Sequence, residues 1–273
     1  MKKAFMSLFA AIALGTLLPS CLGDGGDSTY SGEREFAVVT RNATDNTIIE
    51  AKLSSGIRIT GGDITSCSPG DAILVTYKVN FNNYIDETTI RADYATIASG
   101  DRFLSASQKR IVESPFTQTP TEDNSFTGIN NPSGSYDQYF LDRWITTIGA
   151  QVQSDQNISF ELYYNEDNQG LENTELAGQT LPDNTIILDA KLVKSVSDTQ
   201  GSKTAKTQIL VADLTTLRAL NPLKITGTTS GTDMNIWLRY PKYNSNASSD
   251  DKKYTLAVIQ KAFILRYYAS SSN

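Results

Sequence analysis

The sequence predicts an all-β protein, and its hydrophobic pattern and its turn residues carry that prediction. Apolar residues recur at every second position over most of the chain, as they do in strands that bury one face. In the clearest example, one face of a predicted strand is lined by Ile73, Val75, Tyr77, Val79 and Phe81. Clusters of Gly, Pro, Ser and Asn separate such runs and are typical of turns. We therefore expect a small closed β-barrel followed by an antiparallel β-sandwich, since both are built from many short strands.

Residues 1–20 have the pattern of a cleaved lipoprotein signal peptide. Lys2 and Lys3 precede an apolar run over residues 5–18. That run is too short to cross a bilayer, which takes about 20 apolar residues, and a secretory signal has this layout. The end of the run resembles the lipobox of bacterial lipoproteins and reads Leu17-Leu18-Pro19-Ser20-Cys21, with Pro19 departing from the commonest form.

The lipobox resemblance implies that Cys21 becomes the lipidated N-terminus of the mature protein. More than one acyl chain gives a stable anchor, because each buried methylene contributes roughly 0.8 kcal/mol. The alternative is an ordinary cleaved signal in which the cysteine has no such role. We expect a lipid anchor at the outer membrane, on its periplasmic or its cell-surface face.

Residues 21–34 are predicted to hold the lipidated cysteine and a flexible tether. The segment after Cys21 is polar, rich in Gly and without hydrophobic periodicity, which is typical of a linker. Asp24 and Asp27 resemble the acidic tether that sends Bacteroidetes lipoproteins to the cell surface. Asp27-Ser28-Thr29 resembles the O-glycosylation motif of that phylum, which makes Ser28 a candidate glycan site.

Residues 35–130 are predicted to hold the barrel and the loop or linker that follows it. Expected strands cover residues 36–41, 47–53, 57–59, 73–81 and 90–96. Five strands in so short a segment favour a closed barrel, because closure removes the exposed edges of an open sheet.

The order of these strands resembles the OB-like N-terminal domain of NigD-like lipoproteins of Bacteroidetes. The resemblance lies in a hairpin closed near Ser54-Ser55-Gly56-Ile57 and in a strand that opens with Gly70-Asp71-Ala72-Ile73. The family has Arg at the third place of the second motif, so this chain departs from the pattern there. The resemblance implies an exported, lipid-anchored protein with an OB-like barrel and a C-terminal β-domain.

The remainder of the chain predicts a linker and a second β-domain. Residues 100–139 interrupt the strand pattern with Pro, Gly and many polar residues, which places a domain boundary near residue 130. Residues 131–273 return to period two and are predicted to form the antiparallel β-sandwich. Expected strands cover residues 144–152, 158–164, 188–192, 205–211, 236–240 and 254–268.

Composition excludes several kinds of function. The formal net charge is −6 and becomes about −8 once Lys2 and Lys3 are removed. Without a basic cluster, nucleic-acid binding is not expected. The chain has no histidine, which excludes Ser-His-Asp and Cys-His catalysis and His-ligated metal sites. We therefore expect no enzymatic activity, no cofactor and no metal. Cys67 is predicted to be a small buried apolar residue.

Two further features of the second half could carry a ligand. A segment with the sequence Asn165-Glu166-Asp167-Asn168-Gln169-Gly170 resembles the start of a calcium loop. Gln169 stands where an acid or Asn is required, so we interpret the segment as a solvated hairpin loop. An aromatic set could stack on sugar rings, although strand tyrosines more often pack within the sheet. Its members are Tyr163, Tyr164, Tyr240, Tyr243, Tyr267 and Tyr268.

We expect a protein that acts at the envelope by binding an unknown protein or glycan. One alternative is a structural or assembly accessory of a surface complex or pilus. The other is a histidine-free glycoside hydrolase, which needs two acids about 5–9.5 Å apart in a cleft. Strand acids such as Glu50, Asp93, Glu161 and Asp189 alternate with apolar residues. They are expected to be solvated with ordinary pKa values, so no facing pair in a pocket is predicted.

Overall fold

The computed structural model describes residues 28–130, 139–198, 201–247 and 253–268 of the 273-residue chain. The predicted signal peptide and Cys21 lie outside the described residues. Within these ranges the chain is mostly β-structure, and this confirms the all-β prediction. The described ranges contain no helix with the length and apolar character of a membrane span.

The first sheet is a closed barrel with the strand order of an OB fold. Its strands are β1 (Thr29–Arg41), β2 (Ile49–Leu53), β3 (Arg58–Thr60), β4 (Ala72–Tyr84), β5 (Thr89–Thr96) and β6 (Arg102–Phe103). The pairing runs β1–β2–β3–β5–β4, and β4 pairs again with β1 to close the ring. The β3–β5 pair is parallel, whereas the other pairs of the ring are antiparallel. The predicted OB-like barrel is therefore confirmed.

Strand β1 closes the barrel because it bends and pairs with two neighbours. Its register shifts between Gly32 and Glu35, and Arg34 has a positive φ of 48°. A bulge of this kind bends a strand and increases its twist. β1 begins at Thr29, so residues 29–34 belong to the barrel, and the predicted tether is wrong there. These residues form a strand because their backbone pairs with β4. Backbone hydrogen bonds do not depend on the side-chain pattern, so the sequence of a polar, Gly-containing segment gives no sign of them.

The second sheet contains the remaining strands. They are β7 (Lys109–Glu113), β8 (Phe126–Asn130), β9 (Tyr139–Phe140), β10 (Arg143–Val152), β11 (Ile158–Tyr164), β12 (Thr185–Lys194), β13 (Thr204–Asp213), β14 (Thr232–Tyr243) and β15 (Tyr254–Tyr267). A short helix, α1 (Thr215–Leu220), follows β13. The pairing runs β12–β11–β7–β13–β10–β8–β14–β15, and β12 also pairs with β14. Hydrogen bonds therefore connect these strands in a closed path around one shared apolar core.

The second sheet differs from the predicted antiparallel sandwich because it is mixed. β7 is parallel to both β11 and β13, and β14 is parallel to both β12 and β8. β7 follows the barrel directly and enters between two strands that come much later in the chain. A period-two pattern predicts that a segment is a strand, but it carries no information on the direction of its partners.

The two sheets divide between β6 and β7, not near residue 130. β7 and β8 lie in the predicted linker, yet both pair within the second sheet. Each anchors the linker with one apolar residue, Ile111 in β7 and Phe126 in β8, and both side chains are buried in the core. A single buried residue in a short strand is too weak a pattern to detect among Pro and Gly.

The barrel and the second sheet share a buried apolar interface. Phe36, Val38 and Ala72 of the barrel pack with Ile145 and Val211 of the second sheet. Burial on both sides couples the two units, since each would expose apolar surface if they separated.

A polar bridge reinforces this interface. Gln108 donates from Nε2 to the carbonyl oxygen of Gly70 at 2.9 Å. Its Oε1 accepts from Nε of Arg143, also at 2.9 Å. The segment between β6 and β7 is therefore fixed to both sheets.

Candidate functional site

A long loop covers the outer face of strands β12, β14 and β15. We call residues 165–183 the covering loop. Its apolar residues Leu171, Leu176 and Leu181 pack on Ile187, Trp237 and Val258. Glu166 and Asp167 are exposed, as a solvated loop requires, but Asn165 is buried and the adjoining Leu171 is only 3% exposed, so the loop is solvated only in part. The loop is held because it buries apolar surface that strands β12, β14 and β15 present outward.

The amide of Gln169 fixes the start of the covering loop to β12. Its Nε2 donates to the carbonyl oxygens of Asn165 at 2.8 Å and Ile187 at 3.1 Å. Its Oε1 accepts from the backbone N–H of Ile187 at 2.8 Å. The side chain that would be a calcium ligand is thus committed to the backbone. Among the described residues, no group of three or more acidic or cysteine side chains could hold a metal ion.

A buried ion pair lies beneath the covering loop. Arg239 donates from Nε to Oδ1 of Asp189 at 2.6 Å and from Nη2 to Oδ2 at 2.7 Å. The two side chains are 4% and 3% exposed. Arg239 also donates to the carbonyl oxygens of Gly170 at 2.8 Å and Asn168 at 3.1 Å, and to Oδ1 of Asn168 at 3.3 Å. These contacts use all five N–H donors of the guanidinium.

Asp189 is not solvated, contrary to the prediction for strand acids. Burial raises the pKa of its carboxyl above the ordinary value, while the hydrogen bonds and charge of Arg239 oppose that rise. The sequence pattern failed here because it assumes that the polar face of a strand meets water. The covering loop removes water from that face.

A cleft opens between the covering loop and residues 115–118, and we call it the loop cleft. Its volume is about 410 Å³, which lies in the range of small-molecule sites. The ion pair of Asp189 and Arg239 forms part of its lining. Other lining residues include Pro115, Gln118, Asp167, Asn168, Glu172 and Leu256.

Gln118 lines the loop cleft with part of its side chain. Its Nε2 donates to the carbonyl oxygen of Ala190 at 3.2 Å, and this sets the orientation of the amide. Its Oε1 is buried and has no hydrogen-bond partner. A buried polar atom without a partner costs free energy, and because this atom exposes almost no surface, a molecule in the cleft does not reach it.

Three acids contribute to the lining of the loop cleft. Asp167 and Glu172 come from the covering loop and Asp189 from its floor. Both oxygens of Asp189 accept from Arg239 and its side chain is only 3% exposed, so the acids that are accessible in the cleft are Asp167 and Glu172.

A second cleft, of about 340 Å³, lies beside the end of the β14–β15 hairpin. Tyr243 and Tyr254 are directly paired across the two strands, and their ring centroids lie 5.6 Å apart. The other tyrosines of the predicted aromatic set do not join this cleft. Tyr164 and Tyr240 are buried in the core, and Tyr163 stacks on Phe116.

The remaining predicted site residues lie apart from both clefts. Ser28 is exposed directly before β1, and its carbonyl oxygen accepts from the backbone N–H of Phe81 at 2.9 Å. Cys67 is buried in the barrel core, and burial raises the pKa of its thiol. This position suits the predicted small apolar residue.

Two other acids also differ from the solvated acids that were predicted. Glu50 is fully buried, because Asn42 and Thr89 donate to its Oε2 at 3.0 and 2.8 Å at one end of the barrel. Glu161 is half-exposed, and hydrogen bonds from Tyr163 and Lys191 lower the pKa of its carboxyl. Asp93 is exposed, as expected.

Comparison with sequence families finds a partial match. A family model described as delta endotoxin matches residues 38–173. This range begins inside β1 and ends inside the covering loop, so it crosses the boundary between the two sheets and corresponds to neither. No curated protein matches the chain.

Several solved structures resemble the fold. An uncharacterized protein of Parabacteroides merdae has a TM-score of 0.54 at 11% identity, with 83% of this chain and 98% of that chain covered. A candidate lipoprotein of Bacteroides fragilis has a TM-score of 0.48 at 10% identity, over 89% of this chain and 100% of that chain. A candidate toxin-related protein of Parabacteroides distasonis has a TM-score of 0.42 at 10% identity, over 89% and 94%. At these identities the likeness shows the fold alone, and the two lower scores support no further conclusion.

Proposed function

We propose that this protein is a lipid-anchored envelope protein that acts by binding, and that the loop cleft is its binding site. The observation that supports the binding role is the loop cleft itself, which has the volume of a small-molecule site, about 410 Å³, and which Asp167 and Glu172 line with exposed polar side chains.

The anchor is proposed from the sequence. The short apolar run and the lipobox that ends at Cys21 support export and lipidation. The OB-like barrel followed by a second β-unit is the layout of NigD-like lipoproteins, and it supports membership of that family. An outer-membrane location, on the periplasmic or cell-surface face, follows from the same resemblance.

Catalysis is the less favoured role for the loop cleft. Hydrolysis of a glycoside needs one protonated acid and a second free carboxylate. Asp189 has the raised pKa of a candidate acid, but both of its oxygens accept from Arg239. We therefore expect no turnover on a panel of aryl glycosides. Turnover that is lost in Asp189→Asn would support the hydrolase instead.

The anchor is tested by metabolic labelling with an alkyne fatty acid. Cys21→Ala should abolish the label, because it removes the thiol that accepts the diacylglycerol. Cys67→Ala is the matched control, since it removes the buried cysteine and should keep the label. Label that persists in Cys21→Ala would contradict the anchor.

The binding role is tested by amide hydrogen exchange of the full chain with and without an envelope fraction of its host. Occupation of the loop cleft should slow exchange in residues 115–118 and 165–173. Exchange that is unchanged throughout the chain would contradict binding at this site.

A further inference from the structure

We infer, on the premise of the proposed lipid anchor, that the barrel docks on a bilayer of zwitterionic lipid through the end of β4. We call residues 80–85 the aromatic tip. Two features of the structure lead to this surface. The chain enters the barrel beside the aromatic tip, and the tip itself is uncharged and exposes an aromatic ring.

The entry point of the chain places the aromatic tip close to the anchor. The carbonyl oxygen of Ser28 accepts from the backbone N–H of Phe81 at 2.9 Å, and Thr29 of β1 pairs with Asn80 of β4. The proposed lipidated residue, Cys21, is seven positions before Ser28. A chain of that length spans at most about 25 Å, so the anchor keeps the aromatic tip within this distance of the membrane.

The surface of the aromatic tip suits a membrane–water interface. Tyr84 is 50% exposed, and the centroid of its ring lies 6.5 Å from that of Phe81. Phe81 packs partly on the barrel core and so connects the exposed ring to the barrel. Tyrosine has an apolar ring and a polar hydroxyl, and for that reason it is enriched where a membrane meets water. The tip carries no charged side chain, since its sequence is Asn80-Phe81-Asn82-Asn83-Tyr84-Ile85.

The contact with the second sheet leaves the aromatic tip available. Ala72, the first residue of β4, packs in the interface between the barrel and the second sheet. Tyr84 is the last residue of the same strand. The barrel can therefore keep its contact with the second sheet while the other end of β4 faces a membrane.

The charges around the aromatic tip favour a lipid without net charge. Asp86 and Glu87 follow the tip directly, and Asp24 and Asp27 lie between the anchor and the barrel in the sequence. Lys78 is the one charged residue of β4, so acids predominate. Anionic headgroups would repel these carboxylates, whereas zwitterionic headgroups carry no net charge.

The small size of the aromatic tip makes the docking depend on the anchor. One exposed tyrosine and one half-buried phenylalanine offer less apolar surface than an acyl chain, and a single acyl chain binds a membrane only weakly and reversibly. A tether raises the concentration of the tip at the bilayer, so that a weak contact becomes occupied.

The inference is tested with the lipidated protein in vesicles of phosphatidylcholine, a zwitterionic lipid. Tyr84→Trp places a fluorescent reporter at the aromatic tip. The native Trp144 and Trp237 lie in the second sheet with 5% and 4% exposure, so they add a constant background. The emission of the new tryptophan should shift to shorter wavelength on vesicles, and phosphatidylcholine with brominated acyl chains should quench it.

Leu104→Trp is the matched control. Leu104 is also 50% exposed, but it follows β6, which pairs with the start of β4. Its tryptophan should show neither the shift nor the quenching. Quenching at position 104 that equals or exceeds the quenching at position 84 would overturn the aromatic tip as the docking surface.

Lipid charge provides a second readout of the same reporter. Vesicles that contain equal amounts of phosphatidylcholine and anionic phosphatidylglycerol should quench Tyr84→Trp less than phosphatidylcholine alone, because the carboxylates beside the tip are repelled. Equal or stronger quenching in the anionic vesicles would overturn the preference for zwitterionic lipid.

Amide exchange without a substitution in the barrel guards against misfolding of the tryptophan variants. Residues 82–88 should exchange more slowly in the lipidated wild type on vesicles than in Cys21→Ala, which lacks the anchor. Unchanged exchange there, in a protein that is lipidated and bound to vesicles, would overturn the inference and leave the anchor intact. A wild type that carries no lipid and does not sediment with vesicles would overturn the anchor and the inference together.

Discussion

Arg239 links the covering loop, the sheet and the binding properties of the loop cleft. It connects Asp189 of β12 with the backbone of the covering loop at Asn168 and Gly170. Because the ion pair is almost fully buried, its value depends on complete pairing. The removal of one partner leaves the other charge without water and without a counterion.

Arg239→Met should therefore lower the free energy of unfolding by about 3–5 kcal/mol. Replacing both partners, in Arg239→Met/Asp189→Leu, should recover part of that loss because no buried charge remains. Arg266→Met is the control. Arg266 forms a bidentate pair with Asp233 between β14 and β15, whereas Arg239 and Asp189 join β14 and β12. The side chain of Arg266 is 46% exposed, so a much smaller loss of unfolding free energy is expected. Urea unfolding measures all three, and equal losses for Arg239→Met and Arg266→Met would contradict the role of burial.

Asp86 should make the stability of the barrel depend on acidic pH. Its Oδ1 accepts from the backbone N–H groups of Thr88 at 2.7 Å and Thr89 at 2.8 Å. These bonds, with one from Asn42, lower its pKa from 3.8 to about 2. A carboxyl with a lowered folded-state pKa stabilises the fold above its unfolded pKa and loses that contribution as the pH falls.

The stabilisation from Asp86 should thus be complete above pH 4 and decline towards pH 2. Asp86→Asn should flatten the dependence of Tm on pH in that window. Glu87→Gln neutralises an exposed neighbour and should leave the slope as in the wild type. An unchanged slope in Asp86→Asn would show that other carboxyls control the acid limb.

At the scale of elements, the barrel depends on a tight passage between β3 and β4. The 3₁₀ helix Gly62–Ser66 makes this connection and places Ile64 in the barrel core. Gly62 has a φ of +53°, and a Cβ there would collide with the backbone carbonyl oxygen of Ala95. Backbone cannot move aside as a flexible side chain can, so glycine is required for two reasons at once.

Gly62→Ala should lower the free energy of unfolding by about 2–5 kcal/mol, from the strained φ and the collision together. Gly56→Ala separates these causes. Gly56 also has a positive φ, of +87°, but a Cβ there would meet nothing within 4 Å. Gly56→Ala should lower the free energy of unfolding by only about 1–2 kcal/mol. If chemical denaturation gives similar losses of unfolding free energy for Gly62→Ala and Gly56→Ala, the collision with Ala95 contributes nothing.

At the scale of the whole molecule, the buried interface between the two sheets predicts cooperative unfolding. The chain has two tryptophans, Trp144 in β10 and Trp237 in β14, so fluorescence reports on the second sheet. Circular dichroism reports on both sheets. In the wild type the two signals should change together in urea, because neither unit keeps its interface covered without the other.

Val211→Asp should separate the urea transition seen by fluorescence from the one seen by circular dichroism. Val211 is 2% exposed at this interface, and a carboxylate there would be buried without a partner. Val112→Asp is the control, because Val112 lies in β7 with 45% exposure. Coincident transitions in Val211→Asp would contradict the coupling.

The sequence by itself determined the class and the strands of the barrel. The alternation from Ile73 to Phe81 fixes β4, since a strand with one buried face must place apolar residues at every second position. The turn residues between such runs indicated where one strand ends and the next begins. Local patterns of this kind depend only on adjacent residues, so they can be read without the fold.

Tertiary structure alone decided the partners of the strands and the loop cleft. β7 is a strand because it pairs with β11 and β13, which lie later in the chain. The sequence of Lys109–Glu113 alone does not specify these partners. Asp189 occupies a position that alternation assigns to water, yet the covering loop buries it with Arg239, which lies 50 residues further along the chain. Pairing, burial and the cleft all arise from contacts between distant segments, and the periodicity of a sequence does not encode such contacts.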